Sequence, residues 1–177
     1  MIARGEIGDV ATYANVAAVS GTENQTELDE LISAVVGTAR HAASPDWGQP
    51  PRLYALTKKS RLSFLPQEVL PPEVADAGPD SLIPIEQDAL PEGDPAQVLT
   101  TIHWPPDVDG CVLVSELVIV PTDAGGEPAP RETEGRLTVG VLRGGQYSCC
   151  LQLRGQDNLL IGDDMAQDVV AALLGTF

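Results

Sequence analysis

Cys111, Cys149 and Cys150, with His41 and His103, are the residues that nucleophilic chemistry would draw on. A reactive thiol needs a low pKa, some exposure and an imidazole within hydrogen-bond reach. Cys149 and Cys150 lie in an apolar run, Tyr147 to Arg154, that reads as a strand, where successive side chains point to opposite faces and cannot serve one site. Packing as small buried side chains fits all three cysteines better than catalysis. For metal, no H-x-x-x-H, C-x-x-C or D-x-D-x-D-G spacing occurs, and no cofactor is expected. Glu86 and Asp88, two apart on a short predicted strand, would face one side, as a general acid and base or as hard-cation ligands. A solvated turn accounts for them better, because the surrounding proline-rich stretch supplies no third ligand. Phosphate cradles fare no better: Gly144-Gly145 is explained by a hairpin turn, and Gly125-Gly126 lies in an acidic loop that repels anions.

A second group is Trp47, Pro50, Pro51, Arg52, Trp104, Pro105 and Pro106, in a chain with only seven aromatic residues. Both tryptophans stand beside prolines at the ends of elements. Grouped aromatic, proline and arginine side chains mark protein contact sites, and indoles capping the core are the competing reading. The candidate binding residues are Trp47, Pro51, Arg52, Glu86, Asp88, His103 and Trp104, with no catalytic residue and no metal ligand among them. An enzyme or small-molecule sensor would use part of this set, with Arg52 holding an anionic group near Glu86, Asp88 and His103.

The elements that must position these residues follow from periodicity. Apolar Leu28, Leu31, Ile32, Val35, Val36 and Ala39 recur at helical spacing after capping residues at Asn24 to Thr26, which predicts an amphipathic helix ending near Arg40 to Ala43. Arg52 to Leu56 reads as a short strand after a double proline. Pro66 to Pro95 should be extended and turn-laden, with Ser81 to Ile85 an edge strand. Asp94 and Pro95 predict the N-cap and first residue of a short helix that Trp104-Pro105-Pro106 stops. Cys111 to Val120 is apolar on both faces and reads as a central strand; Thr122 to Pro130 reads as a loop. Gly135 to Arg154 reads as a hairpin turned at Gly144-Gly145, and a last helix is predicted from Asp163-Asp164 with Met165, Val169, Val170, Leu173 and Leu174 on one face. The expected fold class is α+β, an antiparallel sheet carrying N-terminal, short central and C-terminal helices. Absence of alternating βαβ units excludes a Rossmann-like crevice.

Length and charge narrow the function. The 177 residues are enough for one domain with a core of its own, expected over 24–177 behind a loosely ordered extension, 1–23. Ten Lys and Arg against 26 Asp and Glu give a net charge of -16, which disfavours nucleic acid and anionic membrane and favours a basic partner. Half of the basic residues fall between Arg40 and Arg61, and none lies between Leu62 and Pro130, where 13 acids occur. An odd cysteine count with an adjacent pair fits a reducing cytoplasm, and neither an export signal nor a membrane span is expected.

The stretches WGQPPRLYAL from Trp47, IPIEQDALP from Ile83, IHWPPDVDGCVLVSELVIVP from Ile102, VGVLRG from Val139 and CCLQLRGQD from Cys149 together resemble an uncharacterised family of small acidic actinobacterial proteins. The resemblance runs from about Leu28 to the C-terminus, implies a cytoplasmic setting and carries over no site; Lys58-Lys59 departs from the family pattern. By element order the chain is also similar to the small α+β domains of secretion-chaperone type, acidic dimers that bind other chains. The expectation is therefore a non-catalytic acidic interaction or chaperone-like module, a homodimer holding a partner protein or basic peptide.

Overall fold

Helix α1 (Gly21–Ala42) brings Leu31, Ala34, Val35, Thr38, Ala39 and Ala42 to one buried face, as the periodicity predicts. It is the first element of a computed structural model that describes residues 21–43, 46–119 and 132–177. Most of the predicted N-terminal extension, the predicted Thr122 to Pro130 loop and Gly125-Gly126 lie outside the described residues. Leu31 and Val35 are fully buried, and each such side chain contributes about 1.5–3 kcal/mol through removal from water.

The helix lies on a six-stranded antiparallel sheet of order β2-β1-β3-β4-β5-β6. Its strands are β1 (Arg52–Lys58), β2 (Leu82–Glu86), β3 (Gly110–Ile119), β4 (Thr133–Leu142), β5 (Tyr147–Leu153) and β6 (Leu159–Gly162). The α+β expectation is met, with β3 inside the sheet and covered on both faces. Val112 and Val114 pack in the cluster under α1, while Cys111 and Leu113 pack in the opposite cluster with Val170 and Leu173. The hairpin is as predicted: Val141 pairs with Tyr147, and Gly145 turns the chain at φ 99°, a left-handed conformation that favours glycine. Asp94 caps the short helix α3 (Pro95–Leu99) by accepting the Ala96 amide at 3.2 Å.

Two departures have physical causes. The proline-rich stretch Pro66 to Pro95 carries turns as expected, such as the 3-10 turn Gln67–Val69, but it also holds one turn of helix, α2 (Pro72–Ala75), because Pro72 is well suited to a first helical position. A further 3-10 turn, Lys59–Leu62, precedes it. At the other end, Leu159 to Gly162 forms a sixth strand against β5, and the last helix, α4 (Gln167–Leu174), starts later than Asp163-Asp164. Residues 163–166 are needed to carry the chain from the sheet edge to the opposite face, which leaves Met165 outside the helix and partly exposed.

Edge strand β2 carries its own protection. Gln87 donates to the Leu53 carbonyl and Lys59 to the Ser81 carbonyl, both at 2.9 Å, so the alternate residue Pro84 occupies an outward position where it offers no N–H to another strand.

Candidate functional site

The cysteines divide as alternation requires: Cys111 and Cys149 in the α4-side cluster, Cys150 in the α1-side cluster, all buried and free. Burial pushes the Cys111 thiol up to about 12, against smaller opposing contributions from Thr176 and Trp104. Burial likewise raises Cys149 and Cys150 to about 11, with the charge of Asp163 adding at Cys149 and the neighbouring Thr138 side chain opposing at Cys150. Thiols held protonated at neutral pH are poor nucleophiles, and both histidines are exposed. All three cysteines are therefore expected to resist a disulfide reagent at pH 8 in the folded chain and to react once it is unfolded in guanidinium. Rapid labelling of any one of them in the folded chain would contradict this.

The predicted binding residues are shared between two faces of the sheet. Trp47 lies on the α1 side, with the guanidinium of Arg136 4.6 Å and that of Arg154 5.5 Å from its ring centroid. Arg136, only 3% exposed, donates to Glu116 Oε1 at 2.9 Å and to the Asp46 carbonyl at 3.2 Å. Glu116 Oε2 in turn accepts the Gly48 and Gln49 amides. Burial pushes Glu116 up, but these hydrogen bonds and the Arg136 charge outweigh it and hold the carboxyl below its ordinary range. The segment 46–49 is thereby clamped to the sheet.

Arg52 caps the last turn of α1 through Nη2 to the Ala42 carbonyl at 3.0 Å. Tyr54 sits two residues on, directly opposite Glu86 in the β1–β2 register, so Arg52, Tyr54 and Glu86 share one face. Burial raises the Tyr54 hydroxyl pKa, with Arg52 opposing and Glu86 adding to the rise. Pro51 is half-buried beside them. Trp104 belongs to the opposite face, packed in the α4-side cluster with its amide bonded to the Thr176 carbonyl at 3.0 Å. His103 is exposed next to it, and Asp88 is exposed in the turn after β2. The structure thus brings Arg52 and Glu86 together around Tyr54, and separates Trp104 from Trp47.

An open groove of about 630 Å³ lies elsewhere, at the end of the sheet where α1 begins. Acids of one face of α1, Glu23, Glu27 and Glu30, form one wall; Lys58 and Arg61 stand opposite, and Arg143 and Gln146 of the hairpin close the end. Lys58 pairs with Glu27 at 3.4 Å, and both arms of the Arg61 guanidinium reach Asp109 at 3.1 Å. Arg143 donates to the carbonyls of Pro105 at 2.7 Å and Val108 at 3.2 Å and lies over the Phe177 ring. The basic residues at 58–61 were visible in the sequence as the one positive patch. Their acidic partners were not, because α1, β1 and the β4–β5 turn meet only through the topology.

A third feature was missed outright. Between β1 and β2 the chain forms an arm, its base fixed by Lys59, whose Nζ donates to the carbonyls of Ala75 and Ala77. On this arm Phe64 is 76% exposed and Val69 65% exposed, with Leu65 beside them. Acids Glu68, Glu73 and Asp76 are interleaved, and no Lys or Arg follows Arg61 until after Pro130. The available signal was the run Phe64-Leu65 amid prolines, apolar residues with no periodicity to bury them.

Among the described residues no group of three or more His, Cys, Asp and Glu converges as a metal would require. No described helix is long and apolar enough to cross a membrane. Residues 31–177 match the family model described as PPA1309-like protein, an uncharacterised family with no assigned function. No curated protein and no solved structure matches the chain.

Proposed function

The chain belongs to the PPA1309-like protein family, and from that premise we propose a non-catalytic, acidic protein-interaction module of chaperone-like character that holds a basic partner protein or peptide. The observation that carries this reading is the arm: Phe64, Leu65 and Val69 stand in water on a segment fixed at its base, with acids interleaved along it. Exposed aromatic and aliphatic side chains grouped on an ordered element are what a partner's pocket takes up, and uncompensated acids around them select a basic surround. A cytoplasmic setting, an actinobacterial origin, a single domain from about residue 24 and a homodimeric state belong to the same reading.

The test is affinity capture by the tagged chain from lysate of its own organism, with light scattering on the purified protein. Recovery of one stoichiometric protein that is lost as salt rises, and lost equally with the double substitution Phe64→Ala and Val69→Ala, is the expected result. A chain that captures nothing, or the same proteins with and without Phe64, defeats the reading. The juxtaposition of Arg52, Tyr54 and Glu86 supports a second reading, a small-molecule sensor with Arg52 holding an anion. A ligand that raises the thermal midpoint of the native chain but not of Arg52→Gln would favour it.

A further inference from the structure

We infer that the groove at the end of the sheet receives a Lys or Arg side chain from an extended basic and apolar segment of the partner protein. The inference rests on the interaction-module reading and specifies the chemistry of the partner. The groove's own cations are already committed: Lys58 to Glu27, Arg61 to Asp109, and Arg143 to two backbone carbonyls. The carboxylates outnumber them. Glu23, Glu30 and Asp80 line the same groove and enter no ion pair among the described residues. An incoming cation therefore meets three uncommitted carboxylates, whereas an incoming anion finds every cation occupied.

Two further observations point the same way. Leu82, Leu142 and Pro106 give the groove an apolar floor, suited to the aliphatic stem of a long basic side chain whose charged head stays at the rim. Gln146 lines the groove and donates Nε2 to Glu27 at 3.3 Å, which keeps that carboxylate on the groove wall. A volume of about 630 Å³ suits one or two side chains with their backbone and not a folded surface. The arm beside the groove is itself acidic and adds to the attraction for a cationic segment.

The probe is the labelled peptide acetyl-Leu-Arg-Leu-Arg-Leu-amide, titrated against the full chain by fluorescence anisotropy. The neutral peptide with citrulline in place of arginine, and spermidine as a free cation, serve as comparisons. The arginine peptide is expected to bind at least about tenfold more tightly than its citrulline form. The triple substitution Glu23→Gln, Glu30→Gln, Asp80→Asn should weaken it about tenfold, while the equally charged Asp157→Asn, Asp164→Asn, Asp168→Asn, at exposed acids away from both groove and arm, should leave it unchanged. Equal loss with both triples would reduce the effect to general attraction to an acidic surface and overturn the groove. Spermidine binding as tightly as the peptide would overturn the docking role, and no binding of the arginine peptide would do the same. If the peptide fails while Phe64-dependent capture persists, the groove assignment falls and the interaction module stands; if capture also fails, both fall.

Discussion

Glu116→Ala is expected to destabilise the folded chain by about 3 kcal/mol, because it leaves the Arg136 guanidinium buried without its carboxylate. The same change frees the Gly48 and Gln49 amides, so the segment bearing Trp47 should detach from the sheet. Urea denaturation measures the first effect and tryptophan emission the second. Glu116→Gln keeps an acceptor and should fall between alanine and the native residue. The pH dependence has a definite sign. The folded Glu116 carboxyl titrates below its ordinary value of 4.5, so its stabilisation is complete above that value and is lost as pH falls through the folded one. The gap between native and Glu116→Gln chains should close below about pH 4.5 and stay constant above it. A loss under about 1 kcal/mol at neutral pH would mean that Arg136 is held by its other contacts alone.

Gly140→Ala comes next, at about 2 kcal/mol destabilising. In a strand, alanine is ordinarily the better residue by roughly 0.5–1 kcal/mol, so the expected sign is set by packing. A Cβ at Gly140 would overlap Val35 Cγ2 and press on Leu31 Cδ1 and Val112 Cγ2 at 3.2 and 3.3 Å. These atoms belong to the core cluster where α1 lies closest to the sheet, and stiff β-branched Val35 cannot turn aside. The double substitution with Val35→Ala should recover part of the loss, a coupling that distant sites do not show. Denaturant midpoints of the four chains give the answer. A neutral or stabilising Gly140→Ala would show that α1 can lift from the sheet without cost.

How far these features could be read from the sequence depends on the range of the interactions that make them. The hairpin was legible because Leu137, Val139 and Val141 alternate on either side of a glycine turn, and α1 because its apolar residues keep a period of 3.6. Strand β6 was not, since Leu159-Leu160-Ile161 is too short a run to separate from the start of a helix. The opposite faces of Cys149 and Cys150 followed from alternation alone, and the Asp94 cap from a capping residue set directly before Pro95. Trp47 and Trp104 looked alike in sequence because both stand beside prolines. Only the sheet decides that one lies under two guanidinium groups while the other enters the α4-side core. Arg52 and Glu86 were named together, yet Tyr54, the residue between them, drew no notice because a lone tyrosine in a strand carries no signal.

The sheet order has a kinetic consequence. Strands β3 to β6 form a meander in which each strand pairs with the next in sequence, whereas β1 joins β3 through pairs such as Arg52 with Val114, far apart along the chain. Closing that long loop costs entropy that the meander does not incur, so the C-terminal meander is the natural nucleus and β1, β2 and the acidic arm dock late. The parts of the molecule proposed to meet a partner would then be the last to form and the first to open. Amide exchange in β1 and β2 should accordingly outpace that in β4, and a bound partner should slow it.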